Sequence, residues 1–213
     1  MEGAPDDISL VSYGQIFTLL FVTFGPLKIV GPFVHLTREA DEAEMRRIAV
    51  RSFLIAMGAA VVGGFAGRAL ITSWSIPVTA VLLSGGIIFM LVGLNVLLEQ
   101  YQPAHATPPP LPPEPMAAAM RITFPIVVTP YGIAALIVVL ANSPNAERTA
   151  AILLILLAVM VLNLLAMVYS RRIMGGVTVM ILQIFGAVLG VLQIALAVEM
   201  ILRALQQMNI IKG

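Results

Sequence analysis

The residues with the clearest chemical potential lie in "TFGPLKIVGP", Thr23 to Pro32, inside a long apolar run. Gly25, Pro26, Lys28, Gly31 and Pro32 fall there within eight residues. A charged side chain at mid-bilayer costs roughly 2.5–3.5 kcal/mol and is by default a functional candidate. Lys28 could hold a substrate carboxylate as a point charge or carry a proton. Its stem could equally lift the ammonium to the interface, about eight residues away along the helix. Proline lacks an N–H, so Pro26, Pro32 and Pro130 would release the carbonyls of Val22, Lys28 and Ile126 from helical bonding. In hydrocarbon such carbonyls need another donor, or a protein-lined cavity.

The elements that must position these residues follow from composition. The 213 residues are 60% hydrophobic and 11% charged, with mean hydropathy +1.00. Soluble domains are about a quarter charged, so this chain is integral to a membrane. A net charge of +1 gives no electrostatic basis for binding nucleic acid. The absence of cysteine removes disulfides, thiolate metal sites and cysteine nucleophiles. His35 and His105 have no further ligand nearby, so we expect no metal and no cofactor. No His, Asp or Cys lies deep in an apolar segment, so we expect no enzyme. The acidic start lacks a signal peptide's basic region, and the first apolar segment is expected to be retained.

A spanning helix takes about 20 apolar residues. Six windows qualify, near 9–36, 50–70, 77–99, 120–141, 149–169 and 177–202. "TREADEAEMRR" is expected to be an amphipathic extension between the first two. The proline-rich "YQPAHATPPPLPPEP" is a spacer that cannot form a regular helix. The expected fold is all-α: one polytopic membrane domain over 1–213, with six transmembrane helices. It divides into one repeat near 9–99, the linker near 100–119 and a second repeat near 120–203.

The halves resemble each other. "TFGPLKIVGPFVHLT" sets against "VTPYGIAALIVVLAN", aligning Pro26 with Pro130 and Lys28 with Gly132. Gly86 and Glu99 recur as Gly186 and Glu199, each one hundred residues on. Three helices per half reverse the second relative to the first. That is the pattern of an inverted repeat with helices 1 and 4 broken at proline. Substrate-binding candidates are Thr23, Gly25, Pro26, Lys28, Gly31, Thr129, Pro130 and Gly132. Half-helix N-termini at the breaks would suit an anionic group. Thr23 and Thr129 could donate to a ligand or serve local backbone groups. Asn95, Asn163, Gln183 and Gln193 are expected to bridge helices, with one or two of them able to line the path, and Glu99 and Glu199 to be solvated near an interface. The small-xxx-small pairs Gly63/Gly67 and Gly186/Gly190 would pack helices within the chain, or copies in a homo-oligomer.

Three stretches resemble the MarC family of six-helix inner-membrane proteins of bacteria and archaea. They are "FGPLKIVGPFVHLT", "LLSGGIIFMLVGLNVLLEQ" and "ITFPIVVTPYGIAALIVV", within a likeness spanning about residues 13–203. The family's acidic or amide residue before the first proline is Gly25 here. Its glycine two positions after that proline is Lys28, and its second "GPG" is Thr129–Pro130–Tyr131. The resemblance implies a multi-pass inner-membrane protein that transports small neutral amino acids such as glycine and alanine. Together these readings describe a secondary transporter in the lipid bilayer. It would take a small, zwitterionic substrate, coupled to a proton or sodium gradient or to none. A non-transporting scaffold or partner subunit, or a small-solute channel, is the alternative.

Seven bases flank one face of this layout (Arg38, Arg46, Arg47, Arg51, Arg121, Arg171, Arg172) against four on the other (Arg68, Arg148, Arg203, Lys212). The excess predicts the linker inside and both termini outside, with Trp74 an outer interface anchor. Accordingly, a cysteine at Ala106 is expected to escape an impermeant maleimide added to intact cells. Labelling there would reverse the orientation.

Overall fold

The computed structural model describes residues 11–98, 114–173 and 176–211. Glu99, His105 and the proline-rich linker through residue 113 lie outside the described residues, as do Lys212 and the side chain of Gln183; the end of the expected linker, from Pro115 on, is helical. All regular elements among the described residues are helical.

Helix α1 (Tyr13–Phe24) starts from a capping box. The Ser12 hydroxyl accepts from the Gln15 N–H, and the Ser12 N–H donates to Gln15 Oε1. These bonds satisfy two backbone donors that the first turn leaves over. The helix stops at Gly25, a three-residue 3-10 turn covers Pro26–Lys28, and α2 (Val30–Leu36) resumes the path. Helix α3 (Glu42–Ser73) is capped by Asp41 and carries Glu42 and Glu44 in its first turn, where carboxylates suit the helix dipole. The charged "TREADEAEMRR" is thus a bend followed by the first turns of α3, where Arg46 pairs with Glu42 at 2.7 Å. At 32 residues, α3 is about 48 Å long.

Helix α4 (Val78–Leu98) closes the first half. The second half begins with α5 (Pro115–Ile122), a wide turn at Thr123–Val127, and α6 (Pro130–Ala141). Helix α7 (Ala146–Val168), capped by Asn145, the short α8 (Ser170–Ile173) and α9 (Gly176–Gln207) complete the chain. Four of these helices contain stretches long and apolar enough to cross a membrane: Glu42–Ser73, Val78–Asn95, Ala146–Val168 and Ile184–Gln207. Helices α1 and α6 are apolar but shorter, because the two interruptions truncate them.

Packing follows the small residues. In α3, Gly63 faces Ile133 and Gly67 faces Ile137 of α6, so these helices run parallel in close contact. Helices α4 and α9 run antiparallel. A Cβ on Gly86 would meet the Ala197 carbonyl at 3.0 Å, and one on Gly93 the Gly190 carbonyl at 3.1 Å. Gly186, the sequence counterpart of Gly86, has nothing within 4 Å. The expected Gly186/Gly190 seam is therefore a Gly93/Gly190 seam, because α4 and α9 cross further along α9.

Helices α1 and α7 are parallel. Near the start of α7, Arg148 donates to the Val11 carbonyl and lies over the Tyr13 ring, while Asn163 further along reaches the Phe24 carbonyl. Arg68 at the far end of α3 donates to the Ser143 carbonyl and Thr149, and Arg171 donates to the Thr37 and Ala40 carbonyls at the other end. The start of α1, the end of α3 and the α6–α7 loop thus share one end. The α2–α3 bend and α8 share the other.

Ile16, Leu20, Phe24, Phe33, Leu136, Leu140, Ile152 and Leu156 are fully buried at the centre. Outward positions such as Leu54, Val62, Leu154 and Val188 are apolar and exposed. Water would penalise that surface and lipid accepts it, so the chain is a multi-pass membrane protein.

Overpacking a tight seam costs about 1–3 kcal/mol. Gly93→Leu is therefore expected to lower the thermal unfolding midpoint in detergent. Gly186→Ala, entering open space in a helix, is expected to leave it level or raise it slightly. Equal loss from both would contradict the α4–α9 seam.

Candidate functional site

The first interruption has a steric cause. A Cβ on Gly25 would fall on the Phe21 carbonyl oxygen, far inside van der Waals contact. Only glycine lets the chain turn there with φ −76° and ψ 177°. Pro26 opens the 3-10 turn, and Pro32 lies in the first turn of α2. Neither ring removes a needed donor, since first-turn N–H groups have no helical acceptor. Side chains therefore answer the carbonyls of Thr23 and Phe24, one and two residues beyond the Val22 carbonyl that counting back from Pro26 singles out.

The Phe24 carbonyl accepts from Asn163 Nδ2 at 2.8 Å, and the Thr23 carbonyl accepts from the Lys28 ammonium. Lys28 therefore folds back along its own segment, half-buried, instead of extending toward the end of the helix. The Thr23 hydroxyl is fully buried and bonds the Leu19 and Leu20 carbonyls, serving local backbone.

The second interruption is a wide turn closed by Val128 N–H on the Thr123 carbonyl at 2.8 Å, with Phe124 extended inside it. Helix α3 braces it: Ser52 Oγ donates to the Ala119 carbonyl, and Thr123 Oγ donates to the same carbonyl at 2.8 Å. Thr129 then caps α6, its hydroxyl accepting from the Gly132 N–H at 3.2 Å. Pro130 occupies the first position of α6, where its ring is preorganised for the helix.

The two interruptions meet. The Phe24 ring lies against Gly132, where a Cβ would come within 3.0 Å of it. Lys28 Nζ sits 5.2 Å from the centroid of the Tyr131 ring, within cation–π range. Asn163 is 1% exposed, and its Oδ1 is buried with no hydrogen-bond partner among the described residues. The centre thus joins a cation, the N-terminus of a twelve-residue helix and an unanswered acceptor, in apolar surroundings. An anionic group suits the first two and an N–H or O–H donor suits the third.

Of the sequence candidates, Thr23, Gly25, Lys28, Thr129 and Gly132 converge here, with Pro26 and Pro130 setting the turns. Gly31 lies on α2, half-buried, with nothing within 4 Å of a Cβ position. It makes no close approach to the centre. Half-helix N-termini are expected at both breaks; after the first, α2 has only seven residues, whereas after the second, α6 has twelve. Phe24 and Tyr131 were missed as candidates, while Asn163 was one of four amides expected to bridge helices, with one or two of them able to line the path. The signal of Asn163 was visible, as the single amide in the apolar run from Ile152 to Val168.

Gln193 also bridges helices, donating from Nε2 to the Phe89 carbonyl at 3.2 Å. Glu199 is half-buried, accepting from Gln15 at 3.3 Å and pairing with Arg203. Among the described residues, no cluster of three metal-ligating His, Cys, Asp or Glu occurs.

Leaving the Phe24 carbonyl without its donor costs about 1–3 kcal/mol. Asn163→Leu and Gly25→Ala are both expected to lower the unfolding midpoint, whereas Gly31→Ala is expected to be tolerated. The contrast between the two glycines, read by thermal unfolding, checks the geometry of the turn.

The MarC family integral membrane protein model matches residues 10–209. No curated protein and no solved structure matches the chain. The match takes in both interruptions and every helix from α1 to α9, and the chain belongs to the MarC family of integral membrane proteins.

Proposed function

We propose that this protein is a secondary transporter of small neutral solutes, zwitterionic amino acids among them, with its site at the paired interruptions. The observation that carries the reading is the meeting of two breaks about a hundred residues apart, at Gly25–Lys28 and Thr123–Thr129. Broken segments in corresponding positions of two halves are the recurring binding device of inverted-repeat transporters. The substrate's carboxylate would meet Lys28 and the N-terminus of α6, and its ammonium would donate to Asn163 Oδ1.

In this reading the chain has six spans in two inverted three-helix repeats. The spans are α1–α2, α3, α4, α5–α6, α7 and α9. Helix pairing supports it. Exchanging the halves turns the parallel α1–α7 pair into the parallel α3–α6 pair, and α1–α9 into α4–α6. The α4–α9 and α3–α7 pairs map onto themselves. Rocking one repeat against the other would expose the site alternately to each side, with a proton or sodium gradient supplying the drive.

Counterflow in proteoliposomes tests this. Vesicles loaded with unlabelled glycine, alanine or serine are expected to accumulate the labelled compound from outside. Lys28→Ala is expected to lower that accumulation about tenfold or more, as loss of a charge-assisted contact implies, and Pro26→Ala to lower it by releasing the turn that sets Lys28 in place. Passage without saturation or counterflow would indicate a channel. No passage of any neutral solute would indicate a scaffold.

A further inference from the structure

The first break gathers more groups suited to a cation than one hydrogen bond requires. Helix α1 ends at Phe24 in the interior, and the last carbonyls of a helix carry the negative end of its dipole. The buried Thr23 offers its carbonyl to the Lys28 ammonium. The face of the Tyr131 ring, at the start of α6, lies 5.2 Å from the same ammonium. Asn163 holds the Phe24 carbonyl through Nδ2, and its buried Oδ1 adds an acceptor with no partner among the described residues. Lys28 reaches this helix end from across the break, five residues on from Thr23, because Pro26–Lys28 folds into a 3-10 turn. Helix ends and unwound carbonyls of this kind coordinate sodium in inverted-repeat transporters.

We infer that the end of α1 is a monovalent-cation site, filled permanently by the protein's own Lys28 ammonium in place of a sodium ion. A hydrogen bond alone would not call for a lysine. An intramembrane charge is costly, and a neutral amide, Asn163, already meets the neighbouring carbonyl. A helix C-terminus and a π face both attract positive charge, which an amide cannot supply. The consequence for transport rests on the reading proposed above. One charge serves both the helix end and the substrate carboxylate, and wild-type transport needs no sodium. A proton gradient, or none, is then the drive.

Thermal unfolding of full-length variants in detergent tests the site without any transport. Lys28→Ala empties it and is expected to lower the midpoint in choline chloride. Sodium chloride or methylammonium chloride at the same ionic strength is expected to raise that midpoint by about 3 °C, saturably. The wild type, whose site is filled, is expected to show no difference between the salts. Lys28→Met keeps a long stem without the charge and is expected to stay low in every salt. Lys28→Gln keeps a donor without the charge and is expected to remain below the wild type. A Lys28→Gln midpoint equal to that of the wild type would reduce Lys28 to a hydrogen-bond donor and overturn the inference, and this comparison decides even where Lys28→Ala does not fold. Folded Lys28→Ala that sodium and methylammonium stabilise no better than choline would overturn it too. In proteoliposomes, wild-type counterflow is expected to be equal in sodium and choline media. Counterflow that requires sodium would overturn the inference and leave the transporter reading standing. Recovery of Lys28→Ala by cations, with no counterflow of any neutral solute by the wild type, would sustain the site and overturn that reading instead.

Discussion

The structure depends on how two interrupted helices satisfy their backbone where no water can do so. Inside a bilayer every unmet carbonyl or amide costs several kcal/mol. At Gly25 the helix ends in the interior of the bundle, and the Thr23 and Phe24 carbonyls are met by Lys28 and Asn163. At the second break the Thr123 carbonyl, the Ala119 carbonyl and the Gly132 amide are met by Val128, Ser52 with Thr123, and Thr129. Two of these remedies borrow from other helices, Asn163 from α7 and Ser52 from α3, and so tie those helices to the breaks. The same remedies leave polar atoms where a solute could use them, Asn163 Oδ1 foremost.

Close approach of backbones is the second condition. Without a hydrophobic force between helices in lipid, association rests on packing and small residues. Gly63, Gly64 and Gly67 let α6 settle on α3, and Gly86, Gly93 and Gly190 bring α4 against α9. Gly132 does so at the centre, admitting the Phe24 ring beside the start of α6. The interhelical bonds at the two ends are made by arginines to carbonyls, with Arg68, Arg148 and Arg171 each spanning elements distant in sequence. Long side chains do this well, since their apolar stems cross hydrophobic surface while their heads reach the polar ends.

Much of this was legible beforehand. The apolar windows marked the helices, though not the starts that Asp41 and Asn145 cap, which lie upstream of the windows beginning near 50 and 149. The prolines marked both interruptions. Less legible was which carbonyls the breaks would leave over. Counting back four residues from each proline named Val22, Lys28 and Ile126. That count assumes a helix continuing through the proline, whereas Gly25 ends it a residue earlier and the prolines fall in first turns. The Gly186/Gly190 motif misled for a similar reason. Spacing fixes a small-residue face on one helix, but the crossing point depends on the partner.

By itself, the sequence determined the solvent of this protein, its helical class, the position of its breaks and its family, since each rests on hydrophobicity, local backbone chemistry or motif. Tertiary structure alone decided that the two breaks meet, that Lys28 turns back toward Thr23 and Tyr131, and that Asn163 and Gln193 each keep one buried oxygen without a partner among the described residues. The physical reason is range. A cap or a proline acts within one turn of helix. The partner of a buried amide is fixed only when helices far apart in the chain pack at a particular depth and rotation.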